Sequence, residues 1–158
     1  ELLEAVTAEL GDEVMRAIEK HVREVQDPVM RMILGCSLYM KIAVDHPAWG
    51  AFTIRTGIRR GALGKLVDEY LPRDLQLALD SGAAHFPSVR AARDILLGSM
   101  RYSIASVIAG DVSQGHLHDV MQMSLAALGM DQEMSHKLAF MDVPELELPA
   151  VFETLKTV

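Results

Sequence analysis

The feature that most constrains the fold is a stretch of nineteen residues, 27–45, with the sequence DPVMRMILGCSLYMKIAVD. Only Arg31, Ser37 and Lys41 interrupt its apolar composition, so almost every side of a helix formed here is apolar. A helix at a protein surface shows one apolar stripe, whereas a helix that is apolar all round must be surrounded by other elements. The stretch therefore predicts a buried central helix with the rest of the chain packed around it.

Both ends of this helix are marked in the sequence. Asp27 can cap the first turn with its side chain, and Pro28 suits the first helical position. His46 precedes Pro47, and a residue before proline is pushed out of the helical region. These signals predict a helix that ends by Asp45, followed by a short helix that begins at Pro47.

The composition places limits on location and partners. The 158 residues suit one domain, half of them are hydrophobic, and the formal net charge is -7. The mean hydropathy is +0.18. No apolar run reaches the roughly 18 residues that a membrane span needs. The apolar residues exceed what one core of this size requires, so we expect some of them to line an oligomer interface or an internal cavity.

The only basic cluster is Arg55, Arg59 and Arg60, so we expect this chain alone to bind nucleic acid poorly. The single cysteine, Cys36, lies in the central helix, which is compatible with a cytoplasmic location.

Helical spacing of apolar residues recurs along the whole chain, and no strand-like alternation is found. The sequence predicts an all-α fold, an antiparallel bundle of about seven helices around the central one, or eight if Pro72 divides a helix. Gly11-Asp12 is a weak point in the first helix, and Gly57, Gly61 and Gly64 predict a loose connection. The predicted helices cover 2–25, 27–45, 47–56, 63–80, 88–109, 113–128 and 131–140, and an extended tail covers 144–149.

The long helix 88–109 carries two apolar surfaces. One is lined by small side chains and allows another helix to approach closely, and the neighbouring surface carries larger apolar residues. Two apolar faces predict one partner within the subunit and a second one outside it, which favours a homodimer. The residues predicted at the dimer interface are Ala91, Ile95, Gly98, Tyr102, Ala105, Leu117, Met121 and Leu128.

No motif in the sequence indicates catalysis. Glu133 and His136 have the spacing found in helical di-metal proteins, but such a site needs a second copy of the motif and further inward glutamates. His116 and His118 are two residues apart and point to different sides of a helix. No Gly-rich phosphate loop, nucleophile elbow or paired-cysteine motif is present. The sequence therefore predicts no enzyme activity, no cofactor and no metal.

The order and spacing of several segments resemble the C-terminal regulatory domain of TetR-family transcription regulators. The resemblance covers nearly the whole chain, from ELLEAV at 1–6, which is similar to the start of the family's fourth helix. DPVMRMILGCSLYM and DHPAWGAFTIR resemble the fifth and sixth helices, and DLQLALDSGAAHF resembles the end of the seventh. LLGSMRYSIASVIAG and HDVMQMSLAALGM resemble the eighth and ninth, and LAFMDVPELELP resembles the tail of one common branch.

This resemblance implies a specific role. It implies a single effector-binding and dimerisation domain over 1–158, with the DNA-binding helix-turn-helix expected upstream of Glu1. It implies a mostly hydrophobic effector cavity, a homodimer through the eighth and ninth helices of the family, and contact with operator DNA only through that upstream domain. The pocket residues carried over by position are Ile33, Met40, Trp49, Phe52, Leu97 and Arg101.

Two other functions remain compatible with the sequence. One is a stand-alone helical protein that binds small molecules, which would have no DNA-binding segment. The other is a helical metalloenzyme built on Glu133, His136 and the other histidines, which stoichiometric metal in the purified protein would reveal. The leading prediction is a cytoplasmic regulator, most simply a repressor, that releases DNA when a hydrophobic molecule binds.

Overall fold

A computed structural model describes residues 2–56 and 62–155 of the chain, and all regular structure in these residues is helical. The all-α prediction is therefore confirmed. No helix in the described ranges is both long and apolar enough to cross a membrane. The helices are α1 Leu2–Val22, α2 Pro28–Asp45, α3 Pro47–Thr56, α4 Ala62–Lys65, a π-helix Leu66–Tyr70, α5 Leu71–Asp80, α6 Val89–Ile108, α7 His116–Ala127, α8 Gln132–Ala139 and α9 Val151–Leu155.

Helix α2 is the predicted central helix. The Asp27 side chain accepts a hydrogen bond of 2.7 Å from the backbone N–H of Met30, and Pro28 occupies the first helical turn. Three runs of consecutive residues, 32–34, 38–40 and 42–44, are buried. Successive residues point about 100° apart around a helix, so three consecutive buried residues require neighbours on several sides. Helices α1, α3, α5 and α6 supply them.

Helix α1 differs from the prediction at two points. It continues without a break through Gly11 and Asp12, and it ends at Val22 instead of Val25. Residues Val14 and Ile18 are buried against the core, so packing of one apolar face holds the helix together across the glycine. The side of α1 that faces α2 and α5 forms one wall of the cavity described below.

The predicted helix 63–80 is divided, as expected from Pro72, but the division has a particular form. The backbone passes from α4 through the π-helix Leu66–Tyr70 into α5, and the N–H of Leu71 bonds to the carbonyl of Leu66. A proline has no N–H to offer the preceding turn and its ring crowds that turn, so a wider turn just before it relieves the conflict. Gly64 lies within α4, whereas the rest of the predicted loose connection, Gly57 and Gly61, lies outside the described residues.

Two of the C-terminal helices begin at a side-chain cap. Ser88 accepts a hydrogen bond from the N–H of Ala91, and Asp131 accepts one from Met134. Helix α7 begins at His116, three residues later than predicted, because 113–115 form a turn. Residues 141–149 have no regular structure, which includes the predicted extended tail 144–149, and they lead into the unpredicted short helix α9. Phe152 of α9 is fully buried and packs against Trp49, with ring centroids 6.0 Å apart.

Candidate functional site

A cavity of about 290 Å³ opens between α1, α2, the π-helix and α5. Gly35 presents only backbone from α2, and Leu66 and Tyr70 of the π-helix line the same cavity. Isolated π-turns are often found at functional sites. The apolar part of the wall is formed by Met15, Ile18, Val22, Met32, Leu66 and Leu71.

An ion pair lies in the wall of this cavity. Arg31 Nη2 lies 2.7 Å from Asp74 Oδ1, and Arg31 Nε lies 3.2 Å from Asp74 Oδ2, which is the two-pronged geometry of a strong pair. The Asp74 side chain is only 6% exposed and that of Arg31 is 19% exposed. The hydrogen bond to Asp74 raises the pKa of Arg31, although burial opposes it. Arg31 therefore stays positively charged at neutral pH, and the pair is largely removed from water.

Additional polar groups surround the pair. Arg73 Nε donates to Asp74 Oδ1 at 2.9 Å, and its guanidinium carbon lies 5.4 Å from the centre of the Tyr70 ring. The pKa of Tyr70 is raised, first by burial and then by its hydrogen bond to Glu19 and the negative charge of that residue. The phenol therefore stays neutral at physiological pH. Carboxylate, guanidinium and hydroxyl groups thus all border one small apolar cavity.

Cys36 borders the same cavity, but its chemistry is suppressed. It is buried, and burial, assisted by the charge of Asp74, raises the pKa of its thiol to about 12. The thiolate is the reactive form of cysteine, and almost none is present at neutral pH. The thiol therefore serves as part of the apolar wall and not as a nucleophile.

A second cavity, of about 310 Å³, lies between α2, α7 and the segment 139–143. Met40, Met121 and Met141 supply much of its apolar wall. Lys41 lies at its edge and is bound by Asp45 at 2.5 Å and by Glu145 at 2.8 Å, so its charge is already balanced. Unlike the first cavity, this one has no buried ion pair in its wall.

The structure separates the predicted pocket residues. Leu97 and Arg101 meet at a narrow cleft beside Tyr39, where Arg101 donates to the backbone carbonyl of Ile54. Met40 borders the second cavity. Ile33 and Trp49 are buried in the core, and Phe52 is half-buried. None of these six residues borders the cavity that holds the ion pair. Trp49 packs edge-on against Tyr39 at 5.6 Å, and its indole N–H meets no acceptor in the part of the chain that the structure describes.

The predicted interface residues fall into two groups. On α6, Ala91 and Ile95 are exposed, Tyr102 is 77% exposed, and Gly98 and Ala105 are partly exposed. Those on α7 and at its end point inward, because Leu117, Met121 and Leu128 are buried within the subunit. The outward side of α7 carries different residues, notably Met123, which is 72% exposed.

In the candidate metal motif Glu133–His136, the histidine ring contacts the side chains of Gln122 and Phe140. His136 Nδ1 lies 3.2 Å from the side-chain oxygen of Gln122, and its ring packs against Phe140 with centroids 4.6 Å apart. His118 stacks on the same phenylalanine at 5.0 Å. Within residues 2–56 and 62–155, no group of three or more histidine, cysteine, aspartate or glutamate side chains is arranged to hold a metal ion.

Sequence reasoning missed Arg31 and Asp74. In the sequence, Arg31 interrupts an apolar helix and Asp74 begins the segment DLQLALDSGAAHF, and neither pattern pairs the two. A signal was present, because a guanidinium on a helix buried on all sides requires an acidic partner. The partner is 43 residues away. Nothing in the local sequence distinguishes Asp74 from the other acidic residues.

The described helices form the all-α bundle of the TetR-type regulator fold, as predicted. Solved structures that resemble it include two crystal structures of RolR, one in complex with the ligand resorcinol and one without ligand. Their TM-scores are 0.72 and 0.73, and the sequence identity is 20% in both comparisons. Each match includes 92% of this chain, and it includes 73% of the RolR chain with ligand and 76% of the chain without. At this identity the likeness establishes the fold. No protein-family model and no curated protein matches the sequence.

Proposed function

We propose that this chain is the effector-sensing and dimerisation domain of a TetR-like transcriptional repressor that releases DNA when a hydrophobic small molecule binds. The observation that carries the proposal is the cavity between α1, α2 and α5, which combines apolar walls with a few placed polar groups. Small-molecule sites usually have this composition. The resorcinol complex of RolR, a protein of the same fold, supports a ligand-binding role.

The position of the cavity also suggests how binding could be transmitted. Helix α1 contributes Met15, Ile18 and Val22 to the wall, and by the family resemblance its N-terminal end continues toward the DNA-binding domain. A ligand that fits one position of α1 better than another shifts the protein toward that position. We propose that this shift changes the distance between the two recognition helices of a dimer, which must match about one helical turn of DNA.

We expect the 158-residue chain alone not to bind operator DNA, whereas the regulator with its upstream segment does. The chain has a net charge of -7, and its basic cluster Arg55, Arg59 and Arg60 is small, so little positive charge is available for the phosphate contacts that drive non-specific binding. A mobility shift on the protein's own promoter region tests both statements. Because coupling between sites is reciprocal, DNA must lower effector affinity by the same factor by which effector lowers DNA affinity. Specific binding by the chain alone, or an upstream sequence without a helix-turn-helix, would contradict the proposal.

We expect a homodimer through the exposed face of α6 and the outward side of α7. Light scattering should give twice the chain mass of 17.4 kDa. Tyr102→Glu places a charge on this face and should shift the mass toward that of the monomer, because obligate interfaces are large and apolar. The matched control is Leu77→Glu, an exposed leucine on α5, which should leave the mass unchanged.

The same test has a second arm at Gly98. A Cβ built at this glycine meets no atom within 4 Å in the subunit, so a larger side chain has room there. Gly98→Leu should therefore weaken the dimer without lowering the stability of the subunit. A clean monomer in the unmodified protein, or a Gly98→Leu subunit that unfolds more easily at equal mass, would remove this interface.

A further inference from the structure

We propose that the cavity between α2, α7 and the segment 139–143 is a second ligand site, which binds a small primary ammonium ion with an apolar tail. This site goes beyond the proposed sensing function, because the two cavities share no wall residue. The inference follows from three properties of the second cavity: the unused hydrogen-bond acceptors in its wall, the excess of negative charge beside it, and the apolar space that remains.

The ring of His118 offers a hydrogen-bond acceptor at this cavity. His118 lies on α7, and its Nδ1 lies 2.7 Å from the backbone carbonyl oxygen of Ala139. A carbonyl oxygen can only accept a hydrogen bond, so Nδ1 carries the proton. In the neutral ring, Nε2 then has a lone pair, and stacking of the ring on Phe140 holds its orientation. A ligand N–H in the cavity can therefore donate to Nε2.

Two further acceptors border the same cavity. Gln114, in the turn before α7, donates from Nε2 to Asp45 Oδ1 at 3.4 Å, which leaves its amide oxygen as an acceptor. Within the described part of the chain, no hydrogen bond or ion pair involves the carboxylate of Asp142, which follows α8. An ammonium group has three N–H donors and no acceptor. It therefore matches a wall in which the unused polar atoms of three separate segments are acceptors.

The charges beside the cavity favour a cation. Lys41 contributes a positive charge, and it is bound by Asp45 at 2.5 Å and by Glu145 at 2.8 Å. These two carboxylates already exceed the charge of Lys41, and the carboxylate of Asp142 adds to the excess. A ligand anion would be repelled by this excess, and a neutral ligand would gain nothing from it. An alkylamine has a pKa near that of lysine, about 10.4, and is therefore positively charged at pH 7.

The rest of the wall suits an apolar tail. Met40, Met121 and Met141 border the cavity together with Val44 and Leu117. Methionine is unbranched and adapts to apolar groups of varied shape. A dry apolar cavity of about 150 Å³ holds benzene, so a cavity of about 310 Å³ accommodates one ring with a short aminoalkyl chain.

The test is titration calorimetry of the 158-residue chain with matched one-ring compounds. The probes are 2-phenylethylamine, the uncharged 2-phenylethanol, the anion 3-phenylpropanoate, and the N,N,N-trimethyl derivative of the amine. We expect the amine to bind about tenfold more tightly than the alcohol, because a hydrogen bond from a charged donor is roughly twice as strong as a neutral one. The trimethyl derivative keeps the charge but has no N–H, so it should lose a similar factor. The anion should bind more weakly than the alcohol.

Two variants locate the site. In His118→Asn, the new amide N–H can replace the Nδ1–H that donates to Ala139, but no group replaces Nε2, so the amine should bind about tenfold more weakly. Asp142→Asn keeps the shape of an exposed side chain but removes its charge, and should weaken the amine about threefold. The controls are Asp119→Asn, an exposed residue of α7 outside the cavity, and Glu19→Gln in the wall of the first cavity. Neither control should change the affinity.

Each contrary result has a distinct meaning. Equal affinity for the amine and the alcohol, or no binding of the amine at millimolar concentration, overturns the inference. Amine binding that neither His118→Asn nor Asp142→Asn weakens, or that Glu19→Gln weakens as strongly, also overturns it, since the site would then be elsewhere. Unfolding curves show whether each variant keeps its fold, and if His118→Asn does not, Asp142→Asn decides. The proposed sensing function fails separately, if no small hydrophobic compound changes the mobility shift of the full regulator.

Discussion

Replacing Gly50 with alanine is expected to destabilise the protein by about 3 kcal/mol, which is the upper range for overpacking a core. A Cβ at this position would lie 2.2 Å from the backbone oxygen of Ala43 and 2.8 Å from Cδ1 of Ile108. The nearest obstacle is backbone, so it cannot be relieved by a change of rotamer. Helix α3 would have to move away from α2 and α6. For a chain of this length the melting temperature should fall by roughly 6–12 °C.

Gly35→Ala is the control for this experiment. It makes the same substitution inside helix α2, where a Cβ would lie 3.9 Å from Cγ2 of Ile18, an ordinary van der Waals contact. Alanine is favoured over glycine in helices by about 1 kcal/mol, so the melting temperature should stay constant or rise. Thermal unfolding followed by circular dichroism measures both variants. If Gly50→Ala is as stable as the unmodified chain, the close approach of α3 to the end of α2 is wrong.

Much of the fold could be predicted because its signals are local. Asp27, Ser88 and Asp131 all cap the helices that follow them, and each cap joins residues three apart in sequence. The burial of α2 could be predicted because an apolar composition on every side has one explanation. The π-helix could not be predicted in this way. Pro72 indicates an interruption, but the form of the interruption depends on how α4 and α5 pack against α1 and α2.

The candidate site could be predicted only in part. The sequence predicts an internal apolar cavity beside the central helix, and cavities that border α2 are present. The polar wall of the cavity that holds the ion pair was not predictable, because its residues come from α1, α2, the π-helix and α5. The direction in which Arg31 points depends on Asp74, 43 residues further along the chain. The predicted residues Leu97 and Arg101 were placed by similarity to a family, and they meet at a different cleft.

Removing the carboxylate of Asp74 should have an effect as large as that of Gly50→Ala. In Asp74→Ala, the Arg31 guanidinium keeps its bond to the Val25 carbonyl but loses both bonds to its counter-ion. Breaking a buried ion pair by removing one partner costs about 3–5 kcal/mol, because the remaining charge is left buried. We expect the lower part of this range, because the Arg31 side chain is still 19% exposed. Urea unfolding measures the loss, with the midpoint moving and the slope unchanged.

Two further variants separate the ion pair from general damage to α5. Asp80→Ala removes an exposed aspartate of the same helix, which accepts a hydrogen bond from Gln76, and should cost no more than about 0.5 kcal/mol. The double variant Arg31→Met with Asp74→Leu replaces both charges by apolar groups, and such replacements are often neutral. It should therefore recover most of the stability that Asp74→Ala loses. If the double variant is as unstable as Asp74→Ala, the loss comes from packing around α5 and not from an isolated charge, and Arg31 is not held by Asp74 as described.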